Sequence, residues 1–213
     1  MAEEKKWKTP VVAGFSVLVT LAAALVVLFV VFLILSFVAP AAMSRLTGEI
    51  GMYNCSAWYA SLQYADGAGD IEYAERAMEM SARAGNEEGV VRYGVAFLSD
   101  ERFSTYCAEK ESSEEYILPE KYGQHVYGRV GVAHYRVGHK NEGLELVFSV
   151  NTESFDKYNA VTDLGYEIIV CKDAAFLNTV YERLSQLDTS SWNEASKANI
   201  LAYRQTLSAR LAA

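Results

Sequence analysis

Hydrophobic residues in this chain are segregated before they are periodic. No charged residue occurs between Thr9 and Ser44, and Val11–Val38 is an apolar run broken only by Gly14, Ser16, Thr20 and Ser36. About 20 helical residues cross a bilayer core of about 30 Å, so this run is long enough to span with tilt or to project a turn beyond the membrane. Past Pro40 the pattern changes to helical spacing. Ala74, Ala77, Met78 and Ser81 share one face, as do Leu144, Val147, Phe148 and Val150, and Leu177, Val180, Tyr181 and Leu184. No alternating stretch of useful strand length occurs. Helix punctuation agrees: Asp70 is placed as an N-cap and Gly85 as the C′ residue of one helix, and Pro119 can open another. Ser191 with Glu194 forms a capping box for the last helix. The pattern predicts an all-α chain in three parts: an N-terminal tip (1–10), a transmembrane signal anchor (11–39) and an α-helical domain (40–213) closed by a C-terminal capping helix.

The flanks of the run predict its orientation. Lys5, Lys6 and Lys8 precede it, with Trp7 at the interface, whereas Arg45 is the only basic residue between the run and Arg76. Basic residues stay on the cytoplasmic side, so the N-terminus is expected in the cytosol and the domain across the cell (plasma or inner) membrane, as an extracytoplasmic single-pass protein. Ala39-Pro40-Ala41 offers a cleavage-like site, but a signal-peptide core of about 7–15 residues is much shorter than this run, which favours an uncleaved anchor. Within the run Ser16, Thr20 and Ala24 recur at four-residue spacing. Such a small-residue stripe lets a second membrane helix approach closely, and the three are candidate helix-contact residues.

The helical domain contains an internal offset of 34 residues. Moving Tyr127, Val130, Gly131, His134, Gly138, Gly143, Val147 and Val150 forward by that step gives Val161, Leu164, Gly165, Ile168, Lys172, Leu177, Tyr181 and Leu184, with residue classes mostly kept. Gly131 and Gly165 are then the expected close-packing glycines of two first helices. The stretch from Tyr127 through Val130-Gly131, His134 and Gly138 to Gly143 resembles the first-helix and turn pattern of tetratricopeptide (TPR) repeats. Gly69-Asp70-Ile71-Glu72-Tyr73-Ala74 resembles that family's turn into a second helix. The resemblance covers residues 54–187, with 193–211 as a cap, and implies a TPR-like αα-hairpin solenoid. Asn86–Leu118 does not keep the frame, and Glu109–Glu115 reads as an insertion or longer loop. The resemblance also implies a concave partner-binding groove built from first-helix positions, here His125, Arg129, Tyr135, Arg136, Asn159, Asp163 and Tyr166. Arg129 and Arg136 are candidate carboxylate clamps within it.

Charge and reactive residues narrow the function classes. The chain has 19 Lys+Arg, 27 Asp+Glu and a net charge of −8, and its first ten residues are slightly basic. The acidic remainder would repel nucleic-acid phosphates, so nucleic acid is not an expected partner. Cys55, Cys107 and Cys171 are far apart without a paired spacing, and small buried apolar roles are expected for them. His125, His134 and His139 form no i, i+4 ligand pair; His134 takes the packing place of a repeat tyrosine, and His139 adjoins a turn. No metal, cofactor or catalytic constellation is expected. Most of the 14 tyrosines, including Tyr64, Tyr73, Tyr127 and Tyr181, are expected between helices. Carboxylate pairs such as Glu87-Glu88 and Glu114-Glu115 read as solvated faces.

The expected function is a non-catalytic, membrane-anchored scaffold or assembly factor that binds a peptide or partner helix of a protein at the membrane. Lipid is contacted through residues 11–39. Two alternatives carry different signatures. A structural subunit would be recognised through its transmembrane helix, and a small-ligand sensor or enzyme would need a pocket closed by Glu109–Glu115.

Overall fold

Proline and glycine set the joints of the first three helices. In the computed structural model, which describes residues 4–65, 68–113, 116, 121–149 and 165–212, α1 runs unbroken over Glu4–Val38. Its part Gly14–Val38 is long and apolar enough to cross a membrane, and none of that stretch's apolar window is buried by the protein. Pro40 follows at the start of α2 (Pro40–Glu49). A residue before proline is pushed out of the helical region, and Ala39 accordingly breaks the helix at φ −138° and ψ 59°. Gly51, at φ +81°, then reverses the chain into α3 (Tyr53–Tyr64).

Short antiparallel helices make up the rest. They are α4 (Ile71–Arg83), α5 (Glu87–Leu98), α6 (Phe103–Ser112), α7 (Tyr122–Arg136), α8 (Lys140–Ser149), α9 (Gly165–Ile169), α10 (Ala174–Ser185) and α11 (Glu194–Leu211). No strand occurs among the described residues. Helices α2 to α5 pack consecutively, α5 packs on α7, and α7 on α8; α6 leans on α7, and α9 and α10 both pack against α11. Side-chain caps start three of these helices, with Asn86, Asp173 and Asn193 accepting from the amides of Gly89, Phe176 and Ser196.

Helix α7 is the wall shared by two cores. Tyr122, Val126, Val130 and Ala133 face Tyr64, Ile71, Met78, Val90, Phe97 and Cys107. Val132 and Tyr135 face the second core, with Leu144, Val147, Ile168, Phe176, Leu177, Val180, Leu184, Ile200 and Leu207. Glycines permit the approach on both sides. A Cβ on Gly94 of α5 would stand 2.4 Å from Val130 Cγ2, and one on Gly131 would stand 2.8 Å from the Gly143 carbonyl oxygen. A Cβ on Gly143 would in turn meet the Gly131 carbonyl oxygen at 2.5 Å, so α7 and α8 touch backbone to backbone.

Several sequence expectations change in detail. Gly131 is a close-packing glycine, but Gly165 is not its counterpart. The nearest atom to a Cβ on Gly165 is Tyr203 Cε2 of α11, at an ordinary 3.4 Å, and α9 packs on α11. Gly165 therefore packs differently from Gly131, and Val161 and Leu164 lie outside the described residues, as does Pro119. The stretch that breaks the 34-residue frame holds α5 and α6, and Glu109–Ser112, from the tract expected as an insertion or longer loop, lies inside α6. The last helix is capped by Asn193, not Ser191, because the Asn193 side chain reaches the Ser196 amide at 2.9 Å. Asp70 stands at the N-cap of α4 without a side-chain bond, and Gly85 takes φ +66° past its end.

A polar clasp closes the loop ends of α3 to α6. Asp100 accepts from Arg102 Nε and Nη2 at 2.9 and 2.7 Å and from the Tyr64 hydroxyl at 2.8 Å, while Arg102 Nη1 reaches the Gly69 carbonyl at 3.0 Å. The Arg102 guanidinium, bonded to both oxygens, holds the Asp100 carboxyl well below the ordinary carboxylate range. Burial and the Asp100 carboxylate push the Tyr64 hydroxyl up to about 12.

Two predictions follow from this packing. Gly131→Val should lower stability by about 2 kcal/mol or more, from overpacking against backbone, whereas Gly165→Ala should change the melting temperature little; thermal unfolding by circular dichroism distinguishes them. Asp100 has a depressed folded pKa, so its contribution is present above the unfolded value near 3.8 and is lost as pH falls below it. Asp100→Asn should therefore be less stable at neutral pH and show a shallower acid-induced loss, read by denaturant unfolding across acidic pH.

Candidate functional site

The amphipathic pattern of α4 places chemistry on both of its faces. Ile71, Ala74, Ala77, Met78 and Ser81 are buried, while Glu72, Arg76 and Glu79 lie along the other side, with Glu75 at the boundary. That polar side forms one wall of an open cleft of about 510 Å³; α6 supplies Tyr106, Glu109 and Lys110, Ser113 follows it, and α2 supplies Arg45.

The floor of the cleft is built on Glu75, which is only 7% exposed. Lys110 Nζ donates to its two carboxylate oxygens at 2.8 and 2.9 Å, and the Tyr106 hydroxyl donates at 2.5 Å. The Tyr122 hydroxyl of α7 donates to the same carboxylate. Lys110 Nζ also stands 5.4 and 5.5 Å from the Tyr106 and Tyr122 ring centroids, so the cation lies between two π faces. A buried carboxylate is tolerable only when its lone pairs are taken, and four donated hydrogen bonds take them here. Burial, with the Glu75 charge beside them, pushes both tyrosine hydroxyls far above their ordinary values, so both stay protonated donors. Burial likewise pushes the neighbouring Cys107 thiol up to about 12, with Glu111 and Glu75 adding to it, which leaves it protonated and poorly nucleophilic.

Arg76 points the other way, into a buried serine knot. Its Nε donates to Ser44 Oγ at 2.8 Å and its Nη2 to the Ser44 carbonyl at 3.1 Å. Ser44 Oγ donates to the Ser56 carbonyl at 2.9 Å, and Ser56 Oγ donates back to the Ser44 carbonyl at 2.6 Å. The knot locks α2, α3 and α4 together. At the mouth, the side-chain carboxylates of Glu72, Glu79 and Glu109 make no ion pair or hydrogen bond among the described residues, and Arg45 is the one arginine there not turned inward. The rim is therefore anionic over a floor that is internally neutralised.

The groove residues expected from the sequence do not converge in this way. His125 and Arg129 are half-buried on α7. Tyr135 is buried in the second core, 5.8 Å from the Phe176 ring, and so packs between helices. Arg136 is exposed but already paired, with Glu87 at 3.0 Å and Glu167 at 3.5 Å, so its guanidinium ties α7 to α5 and α9. Asn159 and Asp163 lie outside the described residues, as does the side chain of Tyr166, whose backbone is in α9. On α1, Ser16, Thr20 and Ala24 are all exposed, and the Thr20 hydroxyl donates to the Ser16 carbonyl at 2.9 Å.

The remaining reactive groups are placed structurally. All three cysteines are free thiols, and Cys171 accepts from Lys140 Nζ at 3.2 Å. His134 buries both ring nitrogens without a partner, and burial, reinforced by His139, lowers its pKa. It fills space as a neutral ring 5.6 Å from that of His139. Among the described residues no group of three metal-ligating side chains gathers.

The cleft was accessible to sequence reasoning only in part. The Glu72, Glu75, Glu79 spacing is visible on α4, but Lys110 and Tyr122 lie 35 and 47 residues from Glu75. Glu75→Ala should strip two buried hydroxyls of their acceptor, at roughly 1–3 kcal/mol each, whereas Tyr106→Phe removes one donor and should cost about 1 kcal/mol. Denaturant unfolding of the purified full chain would check that order. Searches for a matching protein-family model, a matching curated protein and a matching solved structure each return none for this chain.

Proposed function

We propose that this chain is a single-pass, membrane-anchored protein-interaction module that holds a partner beside the bilayer without catalysing a reaction. The observation that carries this reading is the rim of unpaired carboxylates, Glu72, Glu79 and Glu109, around a cleft whose floor is already satisfied. An anionic rim with Tyr73 and Tyr106 beside it fits lysine or arginine side chains, which carboxylates pair and aromatic faces also attract. The partner is accordingly a protein with a basic segment, presented as a helix or an extended peptide. The nearest candidates for chemistry argue for binding over turnover. Glu75 is consumed by four hydrogen bonds from three donor groups, and the Cys107 thiol is held protonated.

Membrane anchoring rests on the uncharged α1, exposed along Gly14–Val38 except at Ser36. Ser36 Oγ lies 2.7 Å from the Tyr59 hydroxyl of α3, and Ala39 continues the hydrogen-bond ladder through Leu35 and Met43. These ties bind α1 to the domain and support an uncleaved anchor over a removed signal peptide. The lysines before α1 favour a cytosolic N-terminus and an extracytoplasmic domain at the cell membrane. The α7–α8 hairpin, closed by Gly131 and Gly143, is the part that most resembles a TPR unit, and a TPR-like solenoid stays within this proposal.

Photocrosslinking from positions 79 and 109 in native membranes, followed by mass spectrometry, tests the proposal. The expected crosslinks reach a Lys/Arg-rich segment of one partner, and the combined charge reversal Glu72→Lys, Glu79→Lys, Glu109→Lys lowers capture by at least about tenfold. Undiminished capture by the reversed chain overturns the cleft. Crosslinks that instead require Ser16, Thr20 and Ala24 assign recognition to the membrane helix.

A further inference from the structure

Apolar exposure outside α1 is concentrated in one hairpin. Among the described residues beyond Val38, eight large hydrophobic side chains are exposed, and five of them, Leu46, Ile50, Met52, Trp58 and Leu62, belong to α2, α3 and the turn between them. Trp58 (47% exposed) and Leu62 (42% exposed) stand one helical turn apart on α3 and form a stripe. Helix α3 itself carries no charge, and no charged residue occurs between Glu49 and Asp66.

The hydrogen bonds give that stripe a direction. Ser56 pairs with Ser44, and three residues later Tyr59 pairs with Ser36. Moving forward along α3 therefore moves backward along the chain, from α2 to the end of α1. Leu62 continues about 4.5 Å farther in that direction at 1.5 Å per residue. The apolar run of α1 extends about 42 Å against a bilayer core of about 30 Å, so its last turns stand at the headgroup level. Trp58, whose ring lies 4.9 Å from that of Tyr59, is thus fixed beside those turns. A tryptophan next to a tyrosine on an uncharged helix is the composition of an interfacial belt.

We infer that the Trp58–Leu62 stripe of α3 rests in the headgroup–acyl boundary of the bilayer that α1 crosses, so that the domain is held against the membrane at two points. The occupant is the lipid surface, because the stripe is continuous with the end of the span and carries no charge that would resist desolvation. This inference rests on the membrane-anchor reading above. Interfacial apolar side chains sit about 5–10 Å into that boundary, within reach of a quencher on the upper acyl chain.

The full chain is reconstituted in phosphatidylcholine vesicles brominated at shallow or deep acyl positions. With Trp7→Phe and Trp192→Phe, Trp58 is the sole tryptophan, and it should be quenched several-fold more by shallow bromines than Trp192 is when Trp192 alone is kept. Equal, weak quenching of the two overturns the inference. Should Trp192→Phe prevent folding, Leu62→Cys with Cys55→Ser, carrying a polarity-sensitive fluorophore, should emit to the blue of the same label at Leu201→Cys. Equal emission overturns the inference in that form. A control with Leu25→Trp and all native tryptophans replaced reads the span itself. Its quenching by deep bromines, with Trp58 unquenched, leaves the anchor standing and removes only the interfacial contact. Failure of both removes the anchor reading too. A Trp58 signal that ignores bromine but changes with protein-to-lipid ratio assigns the face to a second copy of the chain and overturns the lipid assignment.

Discussion

The close approach of backbones around α7 is the constraint on which the domain depends. Gly94 on one side and the Gly131–Gly143 crossing on the other leave no room for a Cβ, so α5, α7 and α8 have a fixed separation. That separation lets Val126, Val130 and Ala133 close one core while Val132 and Tyr135 close the other. Because the two cores share this single helix, a shift of α7 would open both. A helix so placed is buried on both sides, and Tyr122–Arg136 accordingly buries Gln124 and the His134 ring nitrogens along with its apolar residues, leaving His125, Arg129 and Arg136 less enclosed.

The polar interior solves a different problem. Helix α4 presents a carboxylate at its buried boundary, and the burial is sustained because three side chains from two helices donate to it: Lys110 and Tyr106 from α6, and Tyr122 from α7. Breaking one member of such a group costs more than its hydrogen bond is worth, since the others are then left with unmet charge or dipole. The cluster therefore fixes where α6 lies relative to α4, and with it the width of the cleft. Arg76, one residue on, bonds Ser44 and secures the opposite wall to α2. Adjacent residues of α4 thus set both sides of the same opening.

Legibility in the sequence followed the range of the interactions. The charge-free run as one long apolar helix, the helical periodicity and the turn glycines Gly85 and Gly138 are written locally and read correctly. Ser191 and Asn193 show where local reading ends: both are good capping residues two positions apart, and the docking of α11 decides between them. The 34-residue offset suggested two equivalent hairpins, yet residue class at Gly131 and Gly165 says nothing about the partner helix. Gly131 meets α8, and Gly165 meets Tyr203 from α11. Arg136 read as an available clamp because Glu87 and Glu167, its partners, lie 49 and 31 residues away in opposite directions. On α4, Glu72 is exposed as a surface carboxylate ordinarily is, whereas Glu75 is buried only through its donors on α6 and α7.

The chain of contacts from α1 to the cleft gives the domain its mechanical sense. Val38 and Arg45 are seven residues apart, about 10 Å along helical backbone. Between them only Ala39 departs from helix, and Ser36–Tyr59 and Ser44–Ser56 brace that joint from α3. A cleft carried on a flexible tether would sample a wide volume, and a partner in the same bilayer would meet it at correspondingly low effective concentration. If α1 crosses the bilayer and the cleft takes a partner there, as proposed, a cleft braced to the end of α1 would meet that partner at a set height and orientation, so much of the entropic cost of docking would fall on folding rather than on binding. The buried serines between α2 and α3 have the same logic. They belong to neither apolar cluster, yet they fix the wall of the opening to the helix that packs on the end of α1.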